Sequence, residues 1–322
     1  MTNQPNSLEL TTEDTQMAKG LAILAMVALH LFCRLDNLPY QPLIFVGSTP
    51  LVYYLGLFGD MCVSIYCFCS GYVHYLLYKE NHCIYKKRIP VKALRFLTNY
   101  WIIVLLFSGL GLVFDDTNTI PGSLADFLGN FLLFHQSYNG AWWFVITYLI
   151  LLLSSPFIAF FIQRIPAAPM LLVSGAIYCI AYLFRYVFSW DIQNVIVQWF
   201  WTQLILFGTS QFAYIVGMIF RKCRFISKLM KVRTSRYHTF FIVIIHLFPM
   251  LLFLMHCRLQ TVAIAPITGI LTLVCFFCGR NHNGSGDFFS SWENIQPISG
   301  FVICFFMLFY LRILYLLRGI LF

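Results

Sequence analysis

The chain has 322 residues, of which 60% are hydrophobic, 18% aromatic and only 10% charged, with a formal net charge of +9. A soluble globular domain carries about 25% charged residues, so the composition excludes one. Apolar runs of roughly 20 residues, each enough to cross a bilayer, recur along the whole length, and they imply an all-α polytopic membrane protein.

The N-terminal residues 1–16, MTNQPNSLELTTEDTQ, are polar and acidic, unlike a cleavable signal peptide. A first helix is predicted over about 17–34 and a second over about 51–78. The stretch after it, YKENHCIYKKRIPVKALR, is dense in Lys and Arg and reads as a cytoplasmic loop. Two crossings separate that loop from the N-terminus, which is therefore expected in the cytoplasm as well. A third helix, about 96–114, leads to the acidic, turn-rich DDTNTIPGS, an outer loop. LADFLGNFLLFHQSYNGAWWF has too short an apolar part to span and is expected to be interfacial or re-entrant. Helices at about 142–163, 168–189 and 192–220 follow. The next loop, RKCRFISKLMKVRTSR, is the strongest inside signal in the chain. Further spans at 238–256 and 261–278 and one in the tail complete a single bundle of about nine or ten.

The cations sit in the short loops where membrane topology places them, so the positive charge does not call for nucleic acid as a partner. The chain has 11 cysteines, among them Cys62, Cys67 and Cys69 in an apolar run, without paired C-x-x-C motifs. Neither a metal site nor a disulfide framework is indicated, and most of the thiols are read as small apolar core residues.

The chemistry centres on KGLAILAMVALH, residues 19–30. Eleven residues are close to three helical turns, so Lys19 and His30 fall on one face, about 16 Å apart along the axis. An ionisable group at membrane depth faces the bundle interior or a watery cavity and is a functional candidate. Histidine titrates near neutral pH and suits general-base work. The plainer alternatives are a lysine snorkelling to the interface and a histidine bonded to a neighbouring helix.

A basic residue, a glycine after it and a histidine eleven positions on resemble the opening signature of the acyltransferase-3 family of membrane O-acyltransferases. FGDMCVSIYCFCSGYV, 58–73, resembles that family's second-helix pattern. KKRIPVKALRFLTNYW resembles its basic entry to the third helix, and AWWFVITYLILLLSSPFI, 141–158, its Trp-containing helix ending at proline. The four matches occur in family order, while 160–280 agrees only in hydropathy.

The resemblance implies an enzyme that transfers an acyl group, usually acetyl, from acyl-CoA to a hydroxyl of a cell-envelope carbohydrate, either a sugar or a lipid-linked glycan. It implies a multi-pass protein of the cell inner membrane with acetyl-CoA as a substrate and no tightly bound cofactor. His30 would be the catalytic base or nucleophile. Lys19, where the family more often has Arg, would pair with donor phosphate as a point charge. Arg88, Lys92 and Arg95 match the family's functional basic loop, though plain topology also explains them. Tyr72, Trp143 and His135 are candidates for the acceptor cavity. Asp60 is either a group that orients the catalytic residue or a solvated helix end. Ser70 and Gly71 are read as close-packing residues. The rival readings are a multi-span transporter, which would favour paired broken helices in two halves, and an inactive relative.

The membrane domain is expected over 17–279. The tail, 280–322, lacks the family's final pattern of Gly-Lys-x-Ser followed by an aromatic and a histidine. In a neighbouring frame, WENIQPISGFVICFF can read Gly-Lys-Tyr-Ser-Thr-Asn-Ile-Trp-Phe-Cys-His-Met-Phe-Phe. A frameshifted tail is the resulting expectation.

Overall fold

The computed structural model describes residues 9–33, 35, 41–113, 120–188, 190, 192–233 and 262–279, and singly 247, 251, 254 and 255. The chain divides into two compact units, Met1–Cys275 and Phe276–Phe322. The first holds the bundle described below. The second lies outside the described residues except for its first four, which finish a helix.

Helix α1 spans Thr12–Phe32. It starts earlier than the apolar pattern predicts because Thr11 and Asp14 form a reciprocal capping box, with the Asp14 carboxylate accepting from the Thr11 N–H at 2.8 Å. A short antiparallel hairpin follows, β1 (Phe45–Val46) and β2 (Thr49–Pro50). Helix α2 (Leu51–Leu57) and a 3-10 turn (Phe58–Met61) then lead into α3, Cys62–Glu80.

Helix α4 runs from His82 to Val113. Here the structure departs from the sequence reading: the basic stretch expected as a loop is the first part of this helix. At 1.5 Å per residue its 32 residues extend about 48 Å, well beyond a hydrocarbon core of about 30 Å. The cationic turns can therefore stand in water while the rest crosses.

Helix α5, Leu124–Phe131, is too short to span, as expected. Ser123 and Asp126 cap it with a second reciprocal box. The buried Asn130 ties it to the following loop, its side-chain amide donating to the Asp126 carbonyl at 2.9 Å and to Ser137 Oγ at 2.8 Å. Tyr100 of α4 donates to the Asn130 carbonyl at 2.7 Å and Trp101 to that of Phe131 at 3.0 Å. Those bonds dock the segment on α4.

Helices α6 (Trp143–Arg164), α7 (Ala167–Tyr186) and α8 (Val195–Cys223) cross in turn. Helix α9 (Phe225–Arg233) and the shorter apolar α10 (Ala265–Gly279) complete the described elements.

Six helical segments among the described residues are long and apolar enough to cross a membrane, those ending at Phe32, Glu80, Val113, Arg164, Tyr186 and Cys223. The expected span at 238–256 falls almost wholly outside the described residues, and so does the expected tail helix.

Helix α8 is the centre of the bundle, packed on α3, α6 and α7. Its closest approach is to α3 and is made by glycine. A methyl group at Gly71 would sit 2.0 Å from the Tyr214 carbonyl oxygen, and one at Gly217 would sit 2.1 Å from that of Phe68. Small residues at this crossing agree with the packing role read for Ser70-Gly71. The outer faces of α4 and α7, with Leu105, Leu106, Leu172 and Val173, are exposed, as lipid-facing surfaces are.

Candidate active site

Helix α1 has two distinct faces. Ala18, Ala22, Ala25 and Ala28 are buried, and the Ala25 carbonyl lies where a methyl on Gly59 would collide with it. Small side chains thus let α1 lie tightly against the turn before α3. The other face carries Lys19, Ile23, Met26 and His30, at steps of four, three and four, and all four line one cavity of about 500 Å³. Lys19 and His30 therefore share a face and a cavity, as their spacing requires.

The rest of the wall comes from Asp60 in the turn before α3, the start of α3, Phe96 of α4, the start of α6, the end of α7, the middle of α8 and the start of α10. Most of it is apolar or aromatic, including Phe144, Tyr148, Tyr178 and Tyr182. Polar groups are few: Lys19, His30, Asp60, Arg185, Thr209 and Ser210 stand out. This is the usual make-up of a small-molecule site, an apolar cleft with a few placed polar groups.

The ends of the cavity are set by chain direction. Glu9, just before α1, pairs with Arg221 near the end of α8 at 3.1 Å, so the start of α1 and the end of α8 share one end of the bundle. Lys19 lies toward that end. His30 lies toward the other, with Asp60, Trp143 and Arg185.

The expected donor residues divide. Lys92, half-buried on α4, lies within electrostatic reach of both Arg88 and Lys19. The fold thus draws Lys19, Arg88 and Lys92 into one cationic group at the Lys19 end. Of the four only Lys19 lines the cavity; Lys92, Arg88 and Arg95 do not, and Arg88 and Arg95 are exposed on α4.

The acceptor candidates divide too. Trp143 lines the cavity. Tyr72 and His135 do not. Tyr72 is 1% exposed, and its hydroxyl donates to the Glu9 carboxylate while Arg221 lies over its ring at 5.6 Å. It belongs to the knot that fixes the N-terminal strand of chain, where Ser227 also donates to Glu9. His135 is exposed in the loop after α5, its ring against Gly129.

In the second basic cluster two residues make structural contacts, Arg221 with Glu9 and Lys222 with the end of α6. Lys222 Nζ donates to the carbonyls of Ile162 at 2.6 Å and Ile165 at 2.7 Å, and so caps the end of α6.

Two features escaped the sequence reading. One is Arg185, whose signal was an arginine placed opposite the cationic segments. The other is a buried polar chain across the bundle. His74 Nδ1 lies 2.5 Å from the Tyr214 hydroxyl, Tyr214 bonds Ser155, and the Ser155 and Tyr85 hydroxyls are 2.6 Å apart. Its members come from α3, α4, α6 and α8, and no local pattern joins them. Among the described residues no group of three or more His, Cys, Asp or Glu is placed to hold a metal ion.

Six helical segments long and apolar enough to cross a membrane, with a mostly apolar cavity lined by an imidazole among them, define a multi-pass membrane protein with an internal cavity. The model of the acyltransferase-3 family, described as an acyltransferase domain, matches residues 15–321, almost the whole chain, and the chain belongs to that family. No curated protein and no solved structure gives a significant match. The chain is thus a multi-pass membrane acyltransferase.

Proposed function

We propose that this acyltransferase moves an acetyl group from acetyl-CoA to a hydroxyl of a cell-envelope carbohydrate, with no tightly bound cofactor, from an inner-membrane position with its N-terminus in the cytoplasm. The observation that carries the proposal is that Lys19 and His30 line one cavity from opposite ends of a single helix face.

In this reading Lys19, with Lys92 and Arg88 in electrostatic reach, pairs with the phosphates of the donor at the cytoplasmic end. Arg95, exposed on the same helix, would meet the donor outside the cavity. The rise of about 16 Å from Lys19 to His30 suits an extended pantetheine arm laid along α1. His30 takes the proton of the acceptor hydroxyl as its oxygen attacks the thioester carbonyl. The carbon–sulfur bond then breaks, the CoA thiolate leaves, and the proton passes from imidazolium to that sulfur. The aromatic wall around Trp143 supplies faces on which a sugar ring can stack.

The orientation follows from the cations. Lys86, Lys87 and Arg88 at the start of α4 and Arg221, Lys222 and Arg224 at the end of α8 share the N-terminal end of the bundle, and the positive-inside rule supports a cytoplasmic position for that end.

The experiment is His30→Ala in membrane vesicles given labelled acetyl-CoA and the host's envelope glycan. Acetylation should fall at least about 10²-fold with unchanged protein level, the usual loss for a removed base. Near-normal acetylation would refute the role.

A further inference from the structure

Arg185 sits in the last turn of α7 and lines the cavity that His30 lines. Topology does not account for it. Helix α8 runs back from that end to Arg221 and Lys222, so Arg185 stands at the opposite end of the bundle from both cationic segments, where the positive-inside rule disfavours it. A cation at a helix C-terminus gains from the macrodipole, but that is equally available to a side chain turned outward.

Its surroundings hold the guanidinium without neutralising it. The guanidinium carbon lies 5.2 Å from the Trp143 ring centre and 5.1 Å from that of Tyr186. One nitrogen reaches Thr209 Oγ1 at 3.5 Å. Among the described residues no carboxylate forms an ion pair with Arg185. A guanidinium has five donors in a fixed fork, and Arg185 lines the cavity with one hydrogen bond given to Thr209. Rings from α6 and α7 flank it, and the planar fork of a guanidinium is suited to bidentate binding of an anion. Asp60 lines the same cavity and, like Arg185, lies within electrostatic reach of Tyr186. The wall there carries both signs, and Asp60 already has its own interactions.

We infer that Arg185 is an acceptor-recognition residue and that the His30 end of the cavity takes a glycan whose acylated hydroxyl neighbours an anion, a carboxylate or a phosphate. This rests on the acyl-transfer reading above. The arrangement keeps two anion sites apart: Lys19 serves the donor at one end, and Arg185 serves the acceptor at the end where His30 is. Trp143 both orients Arg185 and offers a face to the sugar.

The test is equilibrium binding, read without turnover. Glucose, glucuronate and glucose 6-phosphate are titrated against the purified full chain in detergent, followed by tryptophan fluorescence. The wild type should bind at least one anionic probe about tenfold tighter than glucose, the usual worth of a charge-assisted pair. Glucuronate and glucose 6-phosphate separate carboxylate from phosphate recognition. Arg185→Gln should abolish the preference and Arg185→Lys should keep part of it. Equal binding of the three probes by the wild type, or an unchanged preference in Arg185→Gln, overturns the proposal. If Arg185→Gln does not fold, Lys19→Gln decides: an anion preference lost in Lys19→Gln assigns the anion to the donor end and overturns the proposal, and a preference kept there supports it. An anion preference without any acetyl transfer to envelope glycan would leave the anion site standing and refute the acyl-transfer reading instead.

Discussion

Gly71→Ala is expected to be among the most damaging single-methyl changes in this protein. The new methyl would lie 2.0 Å from the Tyr214 carbonyl oxygen, 2.9 Å from its carbonyl carbon and 3.2 Å from its Cα. All three are backbone atoms of a central helix and cannot rotate away. An ordinary C···O contact is about 3.3 Å, so α3 and α8 must part by roughly 1 Å along that line. Overpacking of this kind costs about 1–3 kcal/mol. The same movement pulls at the 2.5 Å contact between His74 and the Tyr214 hydroxyl, one turn along α3. Gly217→Ala meets the Phe68 carbonyl at 2.1 Å and demands the same separation of the same helices. The double variant should therefore cost less than the sum of the two single ones, with a coupling of about 0.5 kcal/mol or more. Unfolding in mixed micelles on titration with a denaturing detergent measures all three. Gly109→Ala, where a methyl meets nothing within 4 Å, is the control and should be neutral or stabilising. A loss below about 0.5 kcal/mol for Gly71→Ala would refute the close-packing argument.

Lys19→Ala should weaken acetyl-CoA use in vesicles more than Lys19→Arg does, and equal activity of wild type and Lys19→Ala would return Lys19 to a snorkelling role. Cys33 follows α1, with Asp60 nearby; burial first, and then that carboxylate, push its thiol up to about 12. At pH 8 its alkylation should run about 10³-fold below that of a thiol at the ordinary 8.5. Since the thiolate is the reacting form, the rate should climb with pH until about 12, and fast labelling at pH 8 would contradict the burial. For the tail, which lies outside the described residues, we propose the shifted frame. Nucleotide sequencing across 292–306 should keep that frame open through the Gly-Lys-Tyr-Ser pattern, and a stop codon inside it would end the idea.

Much of this protein was legible in its sequence because the membrane makes length and polarity decisive. A run of about 20 apolar residues has few fates, so the six crossings expected over about 17–34, 51–78, 96–114, 142–163, 168–189 and 192–220 could be read off one by one, and each overlaps a membrane-length helical segment. The shared face of Lys19 and His30 followed from helical period alone. Hydropathy could not find where α4 begins, because a helix that leaves the bilayer still satisfies its own backbone while its side chains turn polar. What stands across from a residue was beyond any local pattern. Tyr72 looked like a cavity residue and proved to be an anchor for Glu9, a partner 63 positions away. Arg185 drew no notice in the sequence and lines the cavity with Trp143, Tyr186 and Thr209 around it. Period and hydropathy are properties of one helix at a time. A cavity is the space left between several, and its walls exist only once Gly71 and Gly217 have let α3 and α8 close on each other.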